Sequence, residues 1–145
     1  MTLADFIIDF LAKKGVDTIF MVTGGQAMYL NDAVYRNKKI KSIYTHHEQA
    51  ASMAAEGYSR IKRMPGVVMV TAGPGSINAL NGVVGGWVDS SPMIIISGQS
   101  NSSVAKYMED NPIRQYGTQG INIESHAHAA TKYFKTIDDP EKIQR

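Results

Sequence analysis

The 145-residue sequence contains no cysteine, which excludes disulfide bonds, thiolate nucleophiles and zinc–thiolate sites. No apolar run approaches the roughly 18 residues that a membrane-spanning helix requires, so we expect no membrane partner. The N-terminus lacks the basic, apolar and small-residue order of a signal peptide, and the cytoplasm is therefore the expected location. The sequence also lacks a strong excess of one charge. Its net charge of +2 gives no reason to expect nucleic-acid binding.

The residues that are present indicate one globular domain. Apolar residues make up 43% of the sequence and charged residues 19%, a balance that is not typical of a disordered chain. A chain of this length buries enough surface to form a core by itself. We expect one domain over residues 1–145, cut short at its C-terminal end, because a helix start at residues 138–141 comes just before Arg145.

The spacing of apolar residues predicts helices that alternate with short strands. Thr2 is placed to cap a first helix, which Gly15 ends. Residues 99–128 show little periodicity, as expected of a functional loop or a packing surface, and residues 131–137 predict a last strand. Continuous apolar runs predict strands at 18–22, 40–45, 66–71 and 93–97, with helices at 26–36, 47–62 and 76–88 between them.

This alternation indicates βαβ units and therefore an α/β fold with a parallel sheet. Strands that are apolar along their whole length are typical of a sheet covered on both faces. We therefore predict a doubly wound, flavodoxin-like, mainly parallel sheet of about five or six strands, with helices on both faces.

The loops that follow the four strands form the candidate site. The carboxyl ends of parallel strands meet at one edge of a sheet, where ligands of such folds bind. Three of the loops contain glycine, which lets a backbone approach a ligand closely, and Glu48 is the only acid among them. The dinucleotide-binding Gly-x-Gly-x-x-Gly pattern does not follow the first strand, and a phosphate-binding Gly-Lys-Ser/Thr motif is absent. The loops are residues 23–26 (Thr-Gly-Gly-Gln), 46–49 (His-His-Glu-Gln), 72–75 (Ala-Gly-Pro-Gly) and 98–101 (Gly-Gln-Ser-Asn).

Six segments occur in a distinctive order: residues 47–51 (His-Glu-Gln-Ala-Ala), 54–60 (Ala-Ala-Glu-Gly-Tyr-Ser-Arg), 65–68 (Pro-Gly-Val-Val), 71–78 (Thr-Ala-Gly-Pro-Gly-Ser-Ile-Asn), 89–92 (Asp-Ser-Ser-Pro) and 97–99 (Ser-Gly-Gln). In order and spacing they resemble the pyrimidine-binding, N-terminal domain of thiamine-diphosphate-dependent enzymes. The most similar group is the acetolactate synthases and their relatives. The likeness runs from Gly15 to Lys135, which makes it far more specific than any single motif.

The resemblance implies an enzyme that uses thiamine diphosphate to decarboxylate a 2-keto acid, with or without ligation of the product to an acceptor. It implies that Glu48 bonds N1′ of the cofactor's aminopyrimidine and so activates the cofactor. Gln119 matches a family glutamine that faces the reacting centre, so Glu48 and Gln119 are the predicted catalytic residues. The residues predicted to bind the cofactor are Thr23, Gly24, Gly25, Glu48, Gly73, Pro74, Gly75 and Asn78.

Three positions depart from the family pattern. Thr23 stands where relatives usually have proline, Thr118 where acetolactate synthases have a bulky aromatic residue, and Gly120 where they have glutamate. The last two departures favour relatives that act on other 2-keto acids.

The family binds Mg²⁺ and diphosphate on a separate domain, through a Gly-Asp-Gly motif that this sequence lacks. The resemblance therefore implies that the diphosphate-binding domain of a second subunit completes the site, within a homodimer or homotetramer. It also implies that this chain alone is inactive and that no metal ligand lies within it. FAD binding, the substrate, and the choice between a longer chain and a split enzyme stay open.

A second hypothesis belongs to another class of protein. A non-catalytic domain of the same fold binds a nucleotide such as FAD or ADP, or serves as an interaction domain. A glycine-rich edge without an activating acid would suit this second hypothesis better. The presence of Glu48 therefore favours the first hypothesis, an enzyme.

Overall fold

The computed structural model describes residues 1–144, and Arg145, the last residue of the predicted domain, lies outside them. The strands are β1 (Thr18–Met21), β2 (Lys41–Tyr44), β3 (Gly66–Val70) and β4 (Met93–Ser97). All neighbouring strands are parallel, and the order across the sheet is β2-β1-β3-β4.

Helices connect the strands and continue into the tail. In the described part of the chain, no helix is long and apolar enough to cross a membrane. The α-helices are α1 (Leu3–Lys13), α2 (Met28–Arg36), α3 (Glu48–Lys62), α4 (Pro74–Val88), α5 (Ser102–Asp110) and α6 (Glu124–Ala127), and short 3₁₀ turns span Gly25–Ala27, His128–Ala130 and Pro140–Gln144.

Two hydrophobic cores cover the two faces of the sheet. Alternate residues of a strand point to opposite faces, and in β1 Ile19 packs with α1 and α2, whereas Phe20 packs with α3 and α4. In β3, Val67 packs in the core with α1 and α2, and Val68 packs in the core with α3 and α4. Helices on both faces of a parallel sheet confirm the predicted doubly wound α/β class.

The sheet has four strands among the described residues, where the sequence predicts about five or six. The prediction of a last strand at residues 131–137 is wrong, because this segment makes no β pairing and Tyr133 within it is exposed. Apolar and β-branched residues suit a strand, but the strand forms only where the edge of a neighbouring strand accepts it. The tail also contains α5, which lies inside the segment predicted to be irregular.

The close approach of α3 and α4 brings the first turns of these helices together. A Cβ atom on Gly82 of α4 would lie 2.3 Å from Ser52 Oγ and 2.7 Å from the backbone nitrogen of Met53, both on α3. Glycine is therefore required at this crossing. As a result, the loops that follow β2 and β3 meet although β1 lies between the two strands.

Candidate active site

The four loops that follow the strands lie along one edge of the sheet, as predicted, because all four strands run in parallel. The chain moves from β1 to β2 on one side and from β3 to β4 on the other, so the topology switches between β1 and β3. Ligands of open α/β sheets bind at such a switch point. Gly24 and Thr71 meet there, since a Cβ atom on Gly24 would lie 2.4 Å from Thr71 Cβ.

Glu48 is the first residue of α3, and the residues before it fix the start of this helix. His47 is the N-cap, and its Nδ1 accepts a hydrogen bond from the backbone N–H of Gln49 at 3.1 Å. The hydroxyl of Thr45 donates to the carbonyl of His47 at 2.9 Å. The carboxylate of Glu48 therefore lies in the first helical turn, where the helix dipole stabilises negative charge.

Glu48 is half-buried, and one oxygen of its carboxylate is hydrogen-bonded. Asn78 Nδ2 donates a hydrogen bond to Glu48 Oε2 at 3.1 Å. Glu48 Oε1 lies beside Gly75, where a Cβ atom would be 3.3 Å from this oxygen and 2.8 Å from Thr71 Cγ2. Glycine at position 75 thus leaves one carboxylate oxygen accessible at the edge of the sheet while the other is bonded.

Gln119 lies against the same loop at a second glycine. Gly73, the N-cap of α4, has φ +61° and ψ −122°, a conformation that suits glycine. A Cβ atom on Gly73 would lie 2.3 Å from the carbonyl oxygen of Gln119 and 3.0 Å from its Cβ. Gln119 itself has φ +57°, and its side chain is exposed.

The helix α5 supports the segment that carries Gln119. Gly117 packs against Val104, since a Cβ atom on Gly117 would lie 2.6 Å from Val104 Cγ1. The rings of Tyr107 and Tyr116 also pack, with centroids 4.6 Å apart. These contacts explain why the segment lies over the edge of the sheet although its sequence shows little periodicity.

The structure brings most of the predicted site residues into three contacts. Glu48 joins Gly75 and Asn78, Gly24 meets Thr71, and Gly73 meets Gln119. Glu48 and Gln119 therefore contact different glycines of one loop. The remaining predicted residues are placed less closely: Thr23 and Pro74 are exposed, and Gly25 faces open space.

Thr71, which lies outside the predicted set, connects two of these contacts. Thr71 touches both Gly24 and Gly75, and its hydroxyl donates to Gln26 Oε1 at 3.2 Å. The Thr71 carbonyl accepts a hydrogen bond from Ser76 Oγ at 2.7 Å. A signal for Thr71 is present in the sequence, since it is a polar residue directly after the apolar strand β3.

Hydrogen bonds to two carboxyl groups away from the loops hold α3 against its neighbours. The hydroxyl of Tyr58 hydrogen-bonds Asp17 and holds the pKa of this carboxyl below its usual value. The hydroxyl of Ser91 donates to Glu56 at 2.6 Å, and together with Arg60 it lowers the pKa of that carboxyl. Both groups lie in or face the C-terminal half of α3, so we assign them to the scaffold.

Metal ligands are not clustered in the described part of the chain. Among residues 1–144, no group of three or more histidine, aspartate or glutamate side chains could hold a metal ion. His128 pairs with Glu124 at 3.2 Å, and His126 hydrogen-bonds the carbonyl of Asn122 at 3.1 Å.

Comparison with known proteins defines the class to which this fold and site belong. The family model described as "Thiamine pyrophosphate enzyme, N-terminal TPP binding domain" matches residues 1–131, and the chain belongs to this family. The predicted resemblance is thereby confirmed.

The similar curated proteins are acetolactate synthases. "Acetolactate synthase 3, chloroplastic" of Brassica napus is 38% identical over an alignment of 145 positions, which covers 98% of this chain and 21% of that protein. "Acetolactate synthase, chloroplastic" of Arabidopsis thaliana is 32% identical over 98% of this chain and 20% of its own length. "Acetolactate synthase large subunit" of Buchnera aphidicola is 41% identical over 72% of this chain and 18% of its own length. The chain thus spans about a fifth of the length of these relatives.

Proposed function

We propose that this chain is the cofactor-activating domain of a thiamine-diphosphate-dependent enzyme that decarboxylates a 2-keto acid. In this proposal Glu48 and Gln119 act in the reaction. The observation that carries the proposal is the carboxylate of Glu48, which Asn78 holds at Oε2 while Oε1 lies beside Gly75. The membership of the family and the acetolactate synthases among the relatives support the same class of activity.

The residues at the edge of the sheet fit the aminopyrimidine half of the cofactor. A ring nitrogen of this group requires a carboxyl partner, and Glu48 is the only acid in the four loops. A flat ring also requires backbone that no side chain covers, and a Cβ atom at Gly75 would come within 3.3 Å of Glu48 Oε1. The residues proposed to hold the ring are Thr23, Gly24, Gly25, Glu48, Gly73, Pro74, Gly75 and Asn78.

The side chains of this domain bind, orient and move protons. When bound, thiamine diphosphate supplies the electron sink for decarboxylation. Glu48 holds or releases a proton at Oε1, because its other oxygen is occupied by Asn78. The capped first turn of α3 keeps the carboxyl in place, so little reorganisation accompanies the proton transfer. Gln119, held against Gly73, is proposed to face the substrate.

The rest of the active site is proposed to come from a second subunit. Mg²⁺ and the diphosphate would bind there, in a homodimer or homotetramer located in the cytoplasm. The lack of a Gly-Asp-Gly motif in this sequence supports this division. Thr118 and Gly120, which depart from the acetolactate synthase pattern, support a different 2-keto acid or acceptor.

The test of the proposal is Glu48→Gln in the complete enzyme, reconstituted with thiamine diphosphate and Mg²⁺. We expect kcat to fall by about 10²- to 10⁴-fold, the usual contribution of a positioned acid–base group, while the cofactor still binds. Glu109→Gln is the matched control, because Glu109 is an exposed acid on α5 outside the four loops. Near-normal activity of Glu48→Gln would overturn the proposal.

A further inference from the structure

Gln26 connects three separate loops at the edge of the sheet. Its Oε1 accepts a hydrogen bond from the hydroxyl of Thr71, and its Nε2 donates one to the carbonyl of Thr118, both at 3.2 Å. Its backbone carbonyl packs on Gly98, where a Cβ atom would lie 2.5 Å from the oxygen. The side-chain amide therefore bridges the loop after β3 and the segment that contains Gln119.

The carbonyl that Gln26 binds directly precedes Gln119. It also accepts a hydrogen bond from Ser100 Oγ at 3.3 Å, so two side chains hold the same carbonyl group. Gln119 has φ +57°, a left-handed conformation that residues other than glycine rarely adopt. The surrounding contacts must stabilise this conformation, and those at the Thr118 carbonyl are the nearest along the chain.

We propose that Gln26 is a positioning residue for Gln119, acting through the carbonyl of Thr118. Thr71 fixes the oxygen of the Gln26 amide, and this leaves the amide nitrogen pointing at Thr118. The inference rests on the proposed function, because the position of Gln119 matters for catalysis only if Gln119 faces the substrate. The bond to the Thr118 carbonyl is assigned an effect on the substrate, whereas the bond to Thr71 lies on the side of Gly24 and Gly75.

Two variants of the complete enzyme separate the hydrogen bonds of Gln26 from its bulk. Gln26→Met keeps the length of the side chain and removes both bonds. Gln26→Glu keeps the acceptor for Thr71 but places an oxygen against the carbonyl of Thr118. The matched control is Asn37→Leu, because the Asn37 side-chain amide also makes two hydrogen bonds, one to Asp9 and one from the backbone N–H of Lys39, both at 2.9 Å, and lies outside the four loops.

The measurement is hydrogen–deuterium exchange of residues 116–121 in the complete enzyme without substrate, combined with kcat, KM and the dissociation constant of the cofactor. We expect exchange to be about fivefold faster in both Gln26 variants, as the loss of one modest hydrogen bond predicts. We expect kcat/KM to fall by a similar factor in both Gln26 variants. Cofactor affinity should stay unchanged in Gln26→Glu, which keeps the bond to Thr71, and Asn37→Leu should change none of these quantities.

Unchanged exchange in both Gln26 variants would overturn the inference, and so would faster exchange with unchanged kcat/KM. Failure of the proposed function has a different signature, since Glu48→Gln would then remain active. The two claims are therefore tested by different variants.

Discussion

At the scale of single residues, the environment of the Glu48 carboxylate is set by the side chain of Asn78 and by the absence of a side chain at Gly75. Asn78 binds one oxygen, and the missing side chain at Gly75 leaves the other accessible. Thr71 limits the same space from the opposite side, at 2.8 Å from a Cβ atom on Gly75. A single methyl group at position 75 would therefore touch both Glu48 and Thr71.

Gly75→Ala is expected to weaken the binding of the cofactor while the fold is retained. Alanine is the better helix former, so the loss comes from the contacts with Thr71 and Glu48 Oε1. Overpacking of about 1–3 kcal/mol corresponds to a dissociation constant that rises about 5- to 150-fold, measurable by calorimetry on the complete enzyme. In Gly85→Ala, on the same helix, the new methyl group meets open space, so affinity should stay unchanged. Equal affinities of the two variants would contradict the account.

The residues of the site could be predicted from the sequence only in part. Glu48, Gly73 and Gly75 stand in loops whose positions follow from the order of strands and helices. Gln26 could not be selected in the same way, since its role depends on contacts with Thr71 and Thr118, 45 and 92 residues away. Spacing along the chain carries no signal for such contacts.

At the scale of elements, capping residues determine where helices start. Thr2 and Asp5 form a capping box on α1, in which Asp5 accepts hydrogen bonds from the backbone N–H and the hydroxyl of Thr2, both at 2.9 Å. Arg36 of α2 also binds Asp5, at 2.6 Å, and joins the two helices on this face of the sheet. These bonds, led by the backbone N–H of Thr2, lower the pKa of Asp5 from 3.8 to about 2.

Asp5→Asn is expected to change how stability depends on acid pH. Because the pKa of Asp5 is lowered in the folded state, its contribution is complete above pH 3.8 and is lost as the pH falls towards about 2. The variant should be less stable than the original protein at neutral pH, and the two should converge near pH 2. Urea unfolding at a series of pH values measures this, and parallel curves would contradict the assignment.

The elements themselves were predictable where local chemistry decides them. Thr2 begins α1 as predicted, and β4 spans the predicted residues Met93–Ser97. Proline at the first position starts α4 at Pro74, two residues before the predicted start at Ser76, because its missing N–H is not needed there. The strand predicted at residues 131–137 does not form, because pairing depends on the edge of a strand that is distant in the sequence. The sequence did not predict α5, because that segment is polar and its periodicity is weak.

At the scale of the whole molecule, alternation of strands and helices was enough to predict the parallel sheet and the single edge that carries the loops. The number of strands was not predictable in this way, because it depends on which segments pair across the sheet. The described residues build the edge proposed to bind the aminopyrimidine, and the proposal assigns the diphosphate to another domain.

The isolated chain is expected to bind thiamine and thiamine diphosphate with about equal, weak affinity. The reason is that the proposed contacts of this chain involve the aminopyrimidine, which both compounds share. Added Mg²⁺ should change neither affinity. Isothermal titration of the folded chain with each compound, with and without Mg²⁺, is the measurement. A preference of about tenfold or more for the diphosphate would place a phosphate site within this chain and contradict the division.

The most direct test of the central claim is the rate at which the proton on C2 of the cofactor's thiazolium ring exchanges for deuterium. The measurement compares the complete enzyme with its Glu48→Gln and Glu109→Gln variants, all saturated with thiamine diphosphate and Mg²⁺. We predict exchange about 10²-fold or more slower in Glu48→Gln and unchanged exchange in Glu109→Gln. Equal rates in all three proteins would show that Glu48 does not activate the cofactor.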